Sequence, residues 1–154
     1  MTDEFEASYR HTQTGPWSGI LLVFGAGLLG LAWFHRDETV VAVLLPSIGS
    51  IALVLAASFR HLTVNDEGDR LAIRFGPLPL FQKRIRYADM QAVEVGQTTW
   101  LDGWGIHMSM QGGWVWNIAG WDCVVVHHGG TTLVGTDDAA NLARFLAAKI
   151  EPGS

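Results

Sequence analysis

Cysteine is almost absent from this chain of 154 residues, which holds only Cys123. One thiol cannot close an internal disulfide, so a small scaffold held together by several bridges is excluded. A surplus of positive charge is also missing, because the formal net charge is −5. Residues 60–154 carry 8 basic and 10 acidic side chains, a balance of −2. The sequence therefore lacks the basic footprint of a nucleic-acid-binding protein.

Charge is missing altogether from two long stretches, residues 17–34 and 40–59. Neither contains Asp, Glu, Lys, Arg or His, and a polar pentapeptide at 35–39 separates them. Helices of 18 and 20 residues are about 27 and 30 Å long, which matches the hydrocarbon core of a bilayer. We therefore predict a transmembrane helical hairpin over residues 17–59.

A cleaved signal peptide is the main alternative for the first apolar stretch. It would need a basic flank and a small-residue cleavage site, but residues 1–16 hold three acids and one base, and the stretch ends Ala32-Trp33-Phe34. A soluble hairpin buried in a core is a second alternative, opposed by the complete lack of charge in both stretches. Residues 1–16 show no periodicity and are predicted to form a flexible N-terminal tail.

Small residues within the hairpin suggest how its helices meet. Ala26 and Gly30 lie four residues apart and are predicted to allow close helix approach. Pro46 removes one backbone donor, and the hydroxyls of Ser47 and Ser50 are near enough to compensate.

The basic residues near the ends of the two stretches predict the orientation of the hairpin. Arg10 precedes the first stretch, Arg60, Arg70 and Arg74 follow the second, and Arg36 alone lies in the connection. Because basic residues favour the cytoplasmic side, we expect both termini in the cytoplasm. The predicted location is the cell (inner) membrane, as a multi-pass protein.

Residues 60–154 read as a separate domain of short strands followed by one helix. Apolar and polar residues alternate in runs bounded by Gly, Pro, Asn and Asp, which predicts about seven antiparallel strands. A helix is predicted at the end, with Thr136 as N-cap and Asp137 and Asp138 in its first turn. Its apolar stripe is formed by Leu142, Phe145, Leu146 and Ile150.

Several segments of this domain resemble a known family. They are residues 71–76, 83–85, 87–90 with Val93, 103–106, 124–126, 135–137 and the last helix. These segments are similar to the bacterial pleckstrin-homology-like (PH-like) domains found in small membrane proteins. The resemblance covers about residues 62–150 and implies a membrane-anchored α+β protein. Its cytoplasmic domain, residues 60–154, would be a seven-stranded antiparallel β-barrel or sandwich capped by a C-terminal α-helix.

The resemblance does not carry the ligand of the eukaryotic relatives. In those domains a basic loop between the first two strands binds inositol phosphates. The matching residues 65–69 here hold Asp66, Glu67 and Asp69 and no base. This departure argues against phosphoinositide recognition, and the fold alone implies no particular activity.

Catalytic and metal-binding patterns are weak. His127 and His128 are neighbours on a predicted strand, so their side chains point to opposite faces, and Cys123 lies about 13 Å from His127 along that strand. Asp102, His107 and Asp122 would support an enzyme only if the fold brought them together. We therefore predict no catalytic residue, no metal site and no cofactor.

The candidate contact residues are a basic cluster, Lys83, Arg84 and Arg86, and two tryptophans, Trp100 and Trp104. The cluster would meet anionic lipid headgroups, unless it is only a solvated strand face. Five tryptophans lie within residues 100–121; Trp114 and Trp116 are predicted to fill the core, whereas Trp100 and Trp104 are the candidates for the surface.

The sequence thus predicts a non-catalytic, membrane-anchored PH-like interaction or assembly module. Its partners would be the lipid bilayer and a protein, either a different chain or a second copy, with anionic lipids in addition. The alternative is a weak sensor of anionic lipid headgroups at the membrane surface. A transporter accessory subunit or a small membrane enzyme is a third reading.

Overall fold

The computed structural model describes residues 8–99, 103–110 and 112–150. It is an α+β structure of two apolar helices, two β-sheets and a C-terminal helix, with one strand before the apolar helices. The helices are α1 (Trp17–Phe34), α2 (Thr39–Ser58) and α3 (Ala139–Ile150). The strands are β1 (Arg10–Thr14), β2 (His61–Asp66), β3 (Arg70–Gly76), β4 (Gln82–Arg86), β5 (Ala92–Gln97), β6 (Gly105–Met108), β7 (Trp114–Asn117), β8 (Asp122–His127) and β9 (Thr131–Gly135).

The described strands form two sheets, with orders β1-β2-β3-β4 and β5-β8-β9-β7-β6. No pairing among them closes the sheets into a barrel. The prediction of an all-antiparallel domain is wrong at one place, because β7 pairs with β9 in parallel. This pairing follows from the chain path, since β8 lies between β5 and β9 and leaves the other edge of β9 to β7.

The first strand precedes the helices, so the prediction of a flexible tail over residues 1–16 is wrong at residues 10–14. Arg10 pairs with Asn65 and Thr14 pairs with His61, so β1 is antiparallel to the strand that follows the hairpin. The helical hairpin α1–α2 is therefore inserted into the sheet as the connection between β1 and β2. Both chain crossings enter the domain at the same end of this strand pair.

One core fills the space between the sheets and α3. Alternate residues of the strands point inward, as the period of two requires, and two leucines of α3, Leu142 and Leu146, are fully buried against them. The buried strand residues include Leu62, Val64, Leu71, Ile73, Phe75, Ile85, Trp116, Val124, Val126 and Val134.

The C-terminal helix is confirmed, but it begins later than predicted. α3 starts at Ala139, and the Thr136 hydroxyl accepts a bond from the Asp138 N–H (3.1 Å) before the helix begins. The predicted acids of its first turn face β1 instead: Asp137 pairs with His11, and Asp138 accepts a hydrogen bond from the Tyr9 hydroxyl at 3.0 Å.

The two apolar helices cross at a pair of glycines. A Cβ on Gly25 would lie 2.8 Å from the Gly49 carbonyl oxygen, and one on Gly49 would lie 3.0 Å from that of Gly25. The prediction that Ala26 and Gly30 form the contact is wrong, because both are exposed. The contact lies one residue earlier on α1, a rotation of about 100° around the helix. The Ser47 hydroxyl donates to the Val43 carbonyl at 2.7 Å, one turn back near Pro46.

Candidate functional site

Aromatic rings hold the domain against the base of the hairpin, which we define as the end of α1 and α2 next to the sheets. The Trp17 and Trp104 rings meet edge to face with centroids 5.8 Å apart. Phe59, which follows α2, contacts Phe75 of the core at 4.8 Å and Phe81 at 5.2 Å. The domain is therefore packed onto the hairpin through specific side-chain contacts, in addition to the two covalent connections between them.

An apolar cavity of about 170 Å³ lies within this junction. Its walls come from α1, from Phe59 and from the β6–β7 hairpin, namely Trp17, Leu21, Phe59, Trp104, Gly105, Asn117 and Ile118. Close contact continues at Gly15, where a Cβ would lie 2.5 Å from the Ile118 carbonyl oxygen. The base of the hairpin thus contacts both sheets of the domain.

Exposed apolar side chains surround the hairpin base. Trp104, predicted as a surface residue, is 38% exposed while its ring contacts Trp17. Leu78 and Leu80 lie in the β3–β4 connection and are 42% and 60% exposed. The same connection places Pro77 against α1 and α2. If α1 and α2 enter a bilayer, these side chains lie at its interface, where tryptophan is favoured.

The predicted basic cluster lies on β4, and its two arginines are paired with acids. The Nε of Arg84 lies 3.1 Å from a Glu67 carboxylate oxygen, and Arg86 makes two 3.0 Å bonds to Asp89. Glu67 also pairs with Arg74. The hydrogen bonds from Arg86 hold the pKa of the Asp89 carboxyl below its ordinary value. These pairs satisfy much of the positive charge that was predicted to attract lipid phosphates.

The strand register also carries the cluster away from the hairpin base. His61, the first residue after the hairpin in β2, pairs with Gly76, whereas Arg84 pairs with Ala72 and Arg86 with Arg70. Four and six residues of strand correspond to about 13 and 20 Å. The lipid contact predicted for this cluster stays a prediction, and both its ion pairs and its position oppose it.

Lys83 lies on the opposite face of β4, near the turn after β8. Burial lowers the pKa of its ammonium group. His128 lies close by, and its pKa is also lowered, first by burial and then by the charge of Lys83. Its Nε2 lies 2.7 Å from the Thr132 hydroxyl. Lys83 is therefore a partly buried charge near His128, on the face of β4 that carries the buried Ile85.

The tryptophans divide between core and surface differently from the prediction. Trp116 is buried as expected, but Trp114, the first residue of β7, is 46% exposed. Trp121, in the turn before β8, is 45% exposed. Trp100 lies outside the described residues.

Trp114 belongs to an exposed apolar surface that the sequence did not reveal, which we call the Met–Trp patch: Met108, Met110 and Trp114. Met108 pairs with Trp114, and the exposed fractions are 65%, 82% and 46%. Met108 lies three residues beyond Gly105, which lines the hairpin cavity, and so about 10 Å further from the helices. The alternation of Ile106, Met108 and Met110 was the available signal, but it does not tell a buried face from an exposed one.

The acidic side chains of the loop after β2 form hydrogen bonds within the domain. The Asp66 carboxylate accepts hydrogen bonds from the Gly68 N–H and the Tyr87 hydroxyl, both at 2.7 Å. Asp69 is held by Arg70, whose hydrogen bond lowers the pKa of the Asp69 carboxyl. The acids of this loop are thus paired within the domain, and the loop holds no base that could bind a phosphate.

Three of the residues considered for catalysis have other partners or are buried. Asp122 accepts a hydrogen bond from Gln97 (3.1 Å), Cys123 is buried, and His127 contacts Glu94 (3.1 Å). Asp102 lies outside the described residues. Over residues 8–99, 103–110 and 112–150, no three His, Cys, Asp or Glu side chains are grouped to hold a metal ion.

The protein is thus an α+β domain with a helical hairpin inserted between its first two strands. The two helices of this hairpin are long and apolar enough to cross a membrane. No protein-family model and no curated protein matches this sequence.

Proposed function

We propose that this protein is a non-catalytic interaction module with a PH-like domain, anchored by α1 and α2 at the cytoplasmic face of the cell (inner) membrane. The hairpin would cross the bilayer twice. The order of elements supports the PH-like reading, since two sheets are followed by one helix that packs on their core.

The exposed surface of the hairpin supports the membrane location. Large apolar side chains point outward along both helices and are 46–80% exposed: Ile20, Leu22, Val23, Phe24, Leu31, Trp33, Phe34, Val40, Val43, Leu44, Ile48, Ile51 and Val54. Soluble monomers rarely expose an apolar surface of this extent to water. A bilayer covers it without any further partner.

The pairing of β1 with β2 supports a location of both ends of the hairpin on the same side of the membrane. Since Thr14 pairs with His61, the chain leaves and re-enters the domain at adjacent positions. Arg10 and Arg60 lie on this side and Arg36 on the other, which favours the cytoplasm for the domain.

The Met–Trp patch is the observation that favours an interaction role. It lies on the domain, away from the hairpin base, so a bilayer that holds the hairpin does not cover it. Methionine and tryptophan are enriched where proteins bind one another, because methionine adapts its shape and tryptophan buries a large area. We therefore infer that the partner is a protein.

Photo-crosslinking in native membranes tests this role. A photoreactive amino acid at position 110 should give a discrete adduct, and the same group at Ala140, exposed on α3, should not. Met108→Ser with Trp114→Ser should abolish the adduct, whereas Trp121→Ser should preserve it. An adduct of twice the chain mass would identify a second copy as the partner. Equal labelling at both positions, or none at 110, would exclude the patch.

A further inference from the structure

A groove opens between the two apolar helices at the hairpin base. Its volume is about 400 Å³, which falls in the range of small-molecule sites. Gly19 and Leu22 of α1 face Ala56 and Ala57 of α2 across it. The groove is open where Gly19, Ala56 and Ala57 have short side chains or none, and a Cβ on Gly19 would meet nothing within 4 Å.

The domain end of the groove is polar, with Arg60 and Ser18 in its wall. Arg60 is exposed and is the first charged residue after α2. None of the ion pairs in the described part of the chain involves it, whereas Arg84 and Arg86 are each paired with a carboxylate. The Ser18 hydroxyl makes one long bond, 3.5 Å, to the Gly15 carbonyl. Where the helices leave the apolar region, an anion can thus bind a guanidinium that takes part in none of the described ion pairs and a hydroxyl whose present bond is long.

We propose that this groove binds one anionic phospholipid, with its phosphate at Arg60 and Ser18 and an acyl chain along Gly19, Leu22 and Ala56. This inference rests on the proposed membrane insertion of α1 and α2. The apolar walls select a lipid over a free phosphate. The lining contains no carboxylate, so the cationic headgroup of a zwitterionic lipid finds no counter-charge there.

Native mass spectrometry of the full-length protein in mild detergent tests the inference. The probes are phosphatidylglycerol, phosphatidylcholine of the same chain length, and glycerol 3-phosphate, which has no chains. We expect one bound phosphatidylglycerol, held about tenfold more tightly than phosphatidylcholine, and no bound glycerol 3-phosphate. Equal binding of the two lipids, or binding of glycerol 3-phosphate alone, would overturn the inference.

Matched variants separate the two parts of the site. Arg60→Gln should remove the preference for phosphatidylglycerol, whereas Arg36→Gln, at the other end of the hairpin, should keep it. Gly19→Leu should weaken both lipids by filling the groove, and Gly30→Leu, at an equally open glycine of α1, should not. If Gly19→Leu fails to fold, the two arginine variants decide, and unchanged selectivity in Arg60→Gln refutes the site.

Alkaline carbonate extraction of the same preparations distinguishes this inference from the proposed function. A protein that stays in the membrane pellet but shows no lipid preference refutes only the groove. A protein released into the supernatant refutes membrane anchoring, and with it the lipid site.

Discussion

Gln13 shows how one buried amide joins the first strand to the rest of the domain. Its side chain is 7% exposed. The Nε2 donates to the Gly135 carbonyl at 2.8 Å, and the Oε1 accepts from the Asp137 N–H at 3.1 Å. Tyr9, just before β1, and His11 of β1 contact the next residues of this connection. Polar side chains on one face of β1 thus bind polar groups of the connection between β9 and α3.

Gln13→Ala should therefore destabilise the protein. The substitution leaves the Gly135 carbonyl and the Asp137 N–H without their partner, and each buried unsatisfied group costs about 1–3 kcal/mol. Thr14→Ala is the matched control, because Thr14 lies on the same strand and is exposed. Chemical unfolding in detergent measures both variants. Equal free energies of unfolding would mean that β1 is not held through Gln13.

His128 makes stability depend on pH. Its pKa lies below the ordinary value in the folded state, whereas the unfolded chain takes up a proton at about pH 6.5. The unfolded state therefore binds more protons below this pH, and stability falls as the solution is acidified. His128→Gln should reduce the loss of thermal stability between pH 7.5 and pH 5.5. Parallel pH profiles for the two proteins would contradict this assignment.

At the scale of elements, segments with a strong apolar periodicity could be predicted from the sequence. The strand β1 could not, because its polar side chains are paired with distant polar groups. The two uncharged stretches, the strands from β2 onward and the amphipathic α3 were all predicted within a few residues. β1, with sequence RHTQT, carries no apolar alternation. It is a strand because Gln13 and His11 find polar partners more than a hundred residues away in sequence. A local pattern contains no information about such partners.

The candidate site was predicted in part, for the same reason. Trp104 was expected at the surface and is exposed beside the hairpin. The acids that neutralise Arg84 and Arg86 lie in two different connections, so their pairing depends on the fold of the first sheet. Met108 pairs with the first residue of β7, and the sequence alone does not say where that strand begins.

The position of the helix crossing predicts that alanine has different effects on stability at two glycines of α1. Gly25→Ala introduces a Cβ 2.8 Å from the Gly49 carbonyl oxygen, and overpacking of this kind costs about 1–3 kcal/mol. Gly30→Ala meets nothing within 4 Å and gains helix propensity, so it should be neutral or slightly stabilising. Thermal unfolding in detergent compares them. Equal effects would place the crossing elsewhere on α1.

At the scale of the whole molecule, the hairpin is an insertion that replaces a turn. Because β1 and β2 are adjacent antiparallel strands, a two-residue turn could join them directly. The buried residues of the core between the sheets all lie within residues 62–146, and Tyr9 and Phe59 pack against them as partly buried residues. The hairpin and the domain are therefore separable in principle, provided that β1 is kept.

Replacing residues 15–60 by Asn-Gly should accordingly yield a soluble, folded domain. The turn preserves the pairing of Thr14 with His61 and the bonds of Gln13, and it removes the apolar helices. A chain that begins at residue 61 should be less stable, because it loses β1 and leaves the edge of β2 unpaired. Amide hydrogen exchange measures this directly: protection in β2 should be high in the first variant and low in the second. If both variants protect β2 equally, β1 contributes nothing to the domain, and the hairpin is an N-terminal anchor instead of an insertion.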